Sequence, residues 1–173
     1  YDKDGCDAVS TAMTTIVGKI LTILLIVLIS FYFYRGKIKA KIIDESSYPV
    51  AACDYIIENL DLSKIKLFNE YNYGSYLLYR GIPVFIDSRA DLYAPEFNGT
   101  KDENGKYNGR DIFSDYINTS NISTYYDDKF KQYEITHVIL KKNTKLNMLI
   151  MRDVKYKEIY SDKNFVIYER LEV

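Results

Sequence analysis

Residues 67–93, LFNEYNYGSYLLYRGIPVFIDSRADLY, decide how this chain is read. Ile65 to Phe68 predicts a short strand, and Asn69, Glu70 and Tyr71 the turn that follows it. Asn69 or Asn72 then caps a short helix carrying Gly74, Tyr76, Leu77 and Leu78, which Gly81 ends in a left-handed conformation. After Pro83 the run Val84-Phe85-Ile86 is short and wholly apolar, as a buried strand would be. A charged loop follows, Asp87-Ser88-Arg89-Ala90-Asp91. Strand, helix and strand in this order imply a right-handed crossover between parallel neighbours. Polar groups then gather beyond the carboxyl ends of two strands, where open α/β sheets bind their ligands.

Upstream of this stretch, Tyr48-Pro49 opens a helix. Ser46 or Ser47 is placed to cap it, and Val50, Cys53, Ile57 and Leu60 fall on one face. Further upstream, Ile20 to Tyr34 (ILTILLIVLISFYFY) carries no charge. Taken back to Ala12, with Lys19 able to snorkel, the segment is long enough for a bilayer core, which needs about 20 residues. Phe31, Tyr32, Phe33 and Tyr34 suit an interfacial belt. The expected organisation is a polar leader over 1–11, a transmembrane helix over 12–34, a basic juxtamembrane linker over 35–47 and a soluble domain over 48–173. A start at Tyr1 in place of methionine suggests a piece of a longer protein. The flanks differ in charge, with Asp2, Lys3, Asp4 and Asp7 before the span and Arg35, Lys37, Lys39 and Lys41 after it. Taken alone, that asymmetry places the domain in the cytoplasm.

Downstream, Ala94 to Arg110 is rich in Gly, Asn and charge and lacks periodicity, which predicts a long loop, either a functional lid or a mobile insertion. Helical patterns follow over 111–118 and over 123–133, the second with a Ser cap. Ile135 to Leu140 is a third strand, and Asn143 or Thr144 caps a further helix. Tyr156 to Tyr160 and Phe165 to Tyr168 form a hairpin around Ser161-Asp162-Lys163-Asn164. The fold class that results is α/β: one N-terminal transmembrane helix, then a small, mostly parallel α/β sandwich with a C-terminal antiparallel hairpin.

Composition narrows the function. A formal net charge of -1 and the lack of a basic stripe with interleaved aromatics remove nucleic acid as a partner. Cys6 and Cys53 lie on opposite sides of the apolar segment, so a mutual disulfide is not expected. His137 reads as a strand residue, not a general base.

Two groups of residues have the chemistry for a site. Asp87, Arg89 and Asp91 place two carboxylates, suited to a cation or an amine, beside a guanidinium suited to a carboxylate or phosphate. The structural alternative is that Arg89 bridges Asp87 and Asp91, or pairs with Glu70, and pins the loop. Asn69, Glu70, Tyr71 and Tyr73 combine a carboxylate, an amide and aromatic rings, which grip a sugar or a peptide. With 18 tyrosines in the chain, an aromatic here is also an ordinary core residue. No metal set stands at recognisable spacing, no cofactor motif is present, and Ser75 lacks the second Gly of a nucleophile elbow. No catalytic residue is therefore assigned.

The succession of a transmembrane helix, Tyr48-Pro49, FNEYNYGSYLLYRGIPVFIDSRADLY, THVIL and a closing FVIYER resembles the soluble C-terminal region of bacterial multi-spanning proteins related to GT-C glycosyltransferases. Asn69, Gly74, Tyr76, Asp87, Arg89 and Asp91 carry the likeness. Glu70-Tyr71-Asn72-Tyr73-Gly74 is more loosely similar to the Trp-Trp-Asp-Tyr-Gly motif of oligosaccharyltransferases. It lacks both tryptophans and has Asn72 in place of the acid. The resemblance implies an extracytoplasmic accessory or acceptor-facing domain, not catalytic by itself. The parent would be a membrane protein that handles a lipid-linked sugar and a glycan acceptor. The alternative is a single-span, membrane-anchored α/β binding module with no enzymatic role.

Overall fold

A computed structural model describes residues 10–11, 14–38 and 43–171. Asp2, Lys3, Asp4, Cys6, Asp7 and Ala12, and Lys39 and Lys41 of the linker, lie outside the described residues. The chain divides into two compact units between Ile43 and Asp44.

The first unit contains helix α1, Ile16–Ile38. Its stretch Ile16–Arg35 is long and apolar enough to cross a membrane, since 20 residues at a rise of about 1.5 Å span about 30 Å. Every large apolar side chain from Ile16 to Tyr34 is at least 47% exposed. A helix that is apolar all round and covered on no side is unlike the core helix of a water-soluble fold. Thr22 returns its hydroxyl to the Gly18 carbonyl at 2.8 Å, which satisfies the donor within the helix.

The second unit runs α2 (Val50–Asn59), β1 (Leu67–Phe68), α3 (Tyr71–Tyr79), a 3-10 turn (Ala90–Tyr93), α4 (Pro95–Asn98), α5 (Ile112–Ser120), α6 (Tyr126–Gln132), β2 (His137–Lys141), α7 (Lys145–Ile150), β3 (Tyr156–Ser161) and β4 (Phe165–Arg170). The strands form one mixed sheet in the order β1-β2-β4-β3. Alternation of side chains along the strands builds two cores. Phe68, Val138, Leu140, Val166 and Tyr168 join Tyr116, Phe130 and Ile150 from α5, α6 and α7. Leu67, Ile139, Phe165 and Ile167 join Ile56 from α2 and Leu77 from α3. Phe68 sits at the junction of the first core, its ring centroid 4.8 Å from Phe130, 5.1 Å from Phe85 and 6.0 Å from Tyr116. Loss of such a side chain costs about 3–5 kcal/mol.

The closing hairpin is as its sequence predicts: the Asp162 carboxylate accepts the N–H groups of Asn164 at 2.7 Å and Phe165 at 2.8 Å and so fixes the turn. Thr144 caps α7, and Gly81 stands at φ 75° after α3. Other expectations are corrected. The sheet is not mostly parallel: only β1 and β2 run parallel, while β2–β4 and β4–β3 are antiparallel. Ser46 and Ser47 do not cap α2, because both hydroxyls donate to the Asp44 carboxylate, and the N-cap position falls to Pro49. Neither Asn69 nor Asn72 caps α3, whose N-cap is Glu70 without a side-chain bond. Helix α6 starts three residues past Ser123, behind Tyr125.

The largest correction concerns Val84 to Ile86, which forms no strand. Its backbone pairs instead with one side chain. The Asn69 Oδ1 accepts the N–H groups of Phe85 at 2.8 Å and Ile86 at 3.4 Å, and its Nδ2 donates to the Ile86 carbonyl at 2.8 Å. An asparagine amide carries the same donor and acceptor as a peptide group, so it stands in for the neighbouring strand. Residues 94–110 are likewise more ordered than a structureless loop. Asn98 exchanges two hydrogen bonds of 2.7 Å with the backbone of Arg110, and Lys101 and Tyr107 form an antiparallel bridge.

Helix α3 touches the 84–87 segment through Gly74. A Cβ there would stand 2.0 Å from the Ile86 carbonyl oxygen and 2.8 Å from the Asp87 Cα, both backbone atoms that cannot step aside. Gly74→Ala is therefore expected to destabilise the domain by about 3 kcal/mol, at the upper end of overpacking costs. Chemical denaturation followed by circular dichroism reads this directly. Gly81→Ala, with open space around it, is expected to cost only about 1 kcal/mol for its left-handed backbone.

Candidate functional site

The end of β1 and the segment after Pro83 do bring Asn69, Glu70, Tyr71, Tyr73, Asp87 and Arg89 into one neighbourhood, but their polar atoms are already engaged. Asn69 is fully buried, and besides its contacts to Phe85 and Ile86 it donates to the Glu70 carbonyl at 3.1 Å. The amide thus has no free hydrogen-bonding capacity facing solvent. Glu70 turns toward β2, where its carboxylate accepts the Lys141 N–H at 3.1 Å. Desolvation raises its pKa above the ordinary glutamate value, against the pull of that N–H. Tyr73 is buried and donates to the Ile139 carbonyl at 2.9 Å. Burial, then the nearby Glu70 charge, pushes its phenol well up. Tyr71 donates to the Ser88 carbonyl at 3.1 Å, its N–H donates to the Tyr116 hydroxyl at 3.0 Å, and its ring meets Phe113 edge-on.

Asp87 and Arg89 form the electrostatic centre of the stretch. The Asp87 carboxylate is fully buried, whereas the Arg89 side chain is 56% exposed. Oδ1 of Asp87 accepts the Arg89 backbone N–H at 2.8 Å and Nε at 3.0 Å, and Oδ2 accepts Nη2 at 2.5 Å. This fork turns both carboxylate oxygens toward Arg89, and the Tyr93 hydroxyl is a further donor to the same carboxylate. Hydrogen bonding from the Arg89 guanidinium holds the Asp87 carboxyl below its ordinary value, more than offsetting desolvation. Arg89 bridges to neither Asp91 nor Glu70. Asp91 is exposed in the 3-10 turn, so the two carboxylates proposed to act together are separated in role. Among the described residues, no three His, Cys, Asp or Glu side chains gather as a metal would require.

The two other residues singled out in the sequence sit inside the fold. His137 lies in β2 with Nδ1 at 2.9 Å from the Thr136 hydroxyl, and desolvation lowers its pKa despite the opposing charge of Glu169. Cys53 is buried in α2, and burial pushes its thiol up to about 12, which leaves it an unreactive core residue.

Sequence reading missed a second buried carboxylate, Asp127. It is fully buried and receives Lys131 at 3.1 Å, Lys155 at 3.0 Å, Arg170 at 3.2 Å and the Tyr156 hydroxyl at 2.9 Å. Desolvation opposes its charge, yet these donors together hold its carboxyl far below the usual range. The i,i+4 spacing to Lys131 is the only local signal of this node. Lys155 and Arg170 arrive from the hairpin region.

The fold and site define a mixed α/β domain, with a helix of bilayer-crossing length and composition in a separate unit. No family model, curated protein or solved structure matches the chain.

Two outcomes follow from this geometry. Asn69→Asp removes the donor to Ile86 and turns a carboxylate oxygen toward a carbonyl, so it is expected to cost about 3 kcal/mol or more, read as a lowered Tm. Arg89→Ala leaves the buried Asp87 charge with the Tyr93 hydroxyl and a backbone N–H as its donors and is expected to lower stability at neutral pH, moderated by solvent at Arg89. The folded Asp87 carboxyl titrates below its unfolded value of 3.8. Its stabilising contribution is thus complete above that value and is lost as pH falls through the lower, folded one. The stability gap between wild type and Arg89→Ala should therefore narrow in acid, measured by urea denaturation as a function of pH.

Proposed function

We propose that this chain is a membrane-anchored α/β module that binds or positions without performing chemistry itself. In this reading it is the accessory, acceptor-facing domain of a glycosyltransferase-like membrane protein and lies on the extracytoplasmic side. One observation carries the proposal: a helix of membrane-crossing length, apolar on every face, shares the chain with a domain whose candidate site groups are already engaged. A carboxylate forked to its own arginine and an amide locked to backbone are poor proton movers and poor ligands. They suit a rigid scaffold.

The glycosyltransferase-like assignment and the outward orientation rest on the resemblance of residues 67–93 and the chain around them. The bilayer is the partner of α1, and a lipid-linked sugar or glycan acceptor is the partner of the parent protein. Within the stretch, exposed Asp91 and the exposed side of Arg89 are the groups left to meet such a ligand. A single-span binding module unconnected with sugar transfer is the alternative. The residues encoded ahead of Tyr1 separate the two: further apolar spans with an acidic residue in the first loop support the first reading, and a start codon directly ahead supports the second.

Anchoring and orientation have their own test. The chain is expected to stay with membranes through alkaline carbonate extraction, and extraction into the supernatant overturns the anchor. In a Cys6→Ser background, Asn104→Cys in the exposed 94–110 segment is expected to react with an impermeant maleimide on intact bacterial cells. Reaction only after lysis would place the domain in the cytoplasm, as the basic flank alone implies.

A further inference from the structure

The face built from α6, α7 and the turns beside them leaves large apolar side chains in water. Tyr125, Met148, Leu149 and Met151 are 52%, 48%, 41% and 60% exposed, and Val154, at the tip of the turn before β3, is 90% exposed. Tyr125, Leu149 and Val154 line a shallow groove together with Tyr126 and Ile122, and Met148 and Met151 are the chain neighbours of Leu149 and Arg152. Ile122 stands at φ 62°, a left-handed conformation that a β-branched residue rarely adopts. Strain of this kind persists where surrounding structure enforces it and collects at functional surfaces. The one carboxylate lining the groove, Asp153, is turned inward, accepting the Tyr126 hydroxyl at 2.7 Å and the Lys155 N–H at 3.0 Å. Exposed basic residues flank the apolar ones: Lys145 precedes Met148 and Leu149 by three and four positions on α7, and Arg152 stands in the turn just beyond the helix and lines the groove.

We propose that this face docks on the surface of the bilayer that holds α1, with Met148, Leu149, Met151 and Val154 entering the headgroup–acyl boundary and Lys145 and Arg152 meeting anionic headgroups. The proposal rests on the anchoring reading given above. Three features select lipid over other occupants. Attachment to an anchor makes the encounter intramolecular, so a patch of modest intrinsic affinity is enough. Unbranched methionines and a bare valine tip adapt to a fluid apolar phase and present no fixed hydrogen-bonding pattern to a protein. The cationic rim around an apolar centre is the arrangement of interfacial membrane elements.

The chain contains no tryptophan, so Val154→Trp supplies a single fluorescent reporter at a position too exposed to disturb packing. The full chain carrying it is reconstituted into vesicles of phosphatidylcholine and phosphatidylglycerol, with and without acyl-chain bromination, and floated on a density gradient. Docking is expected to shift the reporter emission to the blue and to lower it about twofold with brominated lipid, since interfacial apolar faces lie about 5–10 Å deep. A Tyr79→Trp reporter, 82% exposed on α3 among the helices of the other core, is expected to show neither effect. Adding Arg152→Glu to Val154→Trp is expected to restore part of the emission. If the chain floats and the Val154→Trp reporter keeps a water-like, unquenched emission, docking is overturned while the anchor stands. If the chain does not float, the anchor itself is overturned. A blue shift without quenching by brominated lipid means that a second copy of the chain covers the face, which also overturns lipid docking.

Discussion

The domain depends on one amide. Asn69 follows β1 directly, and its side chain gives the 84–86 segment the hydrogen bonds that a neighbouring strand would otherwise supply. Two further contacts pin the same segment: α3 meets the Ile86 carbonyl at Gly74, where no side chain fits, and Phe85 reaches the ring of Phe68. Asp87 follows at a depth where its charge requires Arg89. Asn69, Gly74, Asp87 and Arg89 thus all act on the one segment of residues 84–89.

The same economy recurs in the charged groups. Asp87, Asp127 and Asp162 each use their oxygens on nearby donors and link elements distant in sequence or close a turn. Asp127 is the extreme case, a fully buried carboxylate facing three cationic side chains and a phenol. Buried charges so fully paired favour one arrangement of α6 against the hairpin, since leaving any donor unmet is costly. A cluster of acids and tyrosines is therefore an ambiguous signature. Identical residue types serve a ligand when their polar atoms point outward and serve the fold when they point inward.

Much of this was legible in the chain. The apolar helix, the helices α2 and α3, the hairpin and Gly81 rest on local signals: hydropathy over a bilayer's length, helical period, turn chemistry and a required positive φ. The mostly parallel sheet and the strand at Val84 to Ile86 were misread because an apolar run between punctuating residues has the same sequence whether a backbone or a side chain satisfies it. The direction in which the polar atoms of Asn69, Glu70, Tyr73 and Asp87 point was not legible in the sequence. Asp91, assigned beside Asp87, is exposed, and Asp127 went unnoticed among ordinary helix-surface charges.

Sequence alone determined most of the helices, the closing hairpin and the helix fit to cross a bilayer, because each follows from properties of residues within a few positions of one another. Tertiary structure decided the strand order, the engagement of Asn69 and Asp87, and the exposure of the face around Val154. Each of these depends on which groups meet across tens of residues, as Asn69 meets Ile86 and Asp127 meets Arg170. Hydrogen bonds and desolvation act on distance in space, and local sequence does not set that distance.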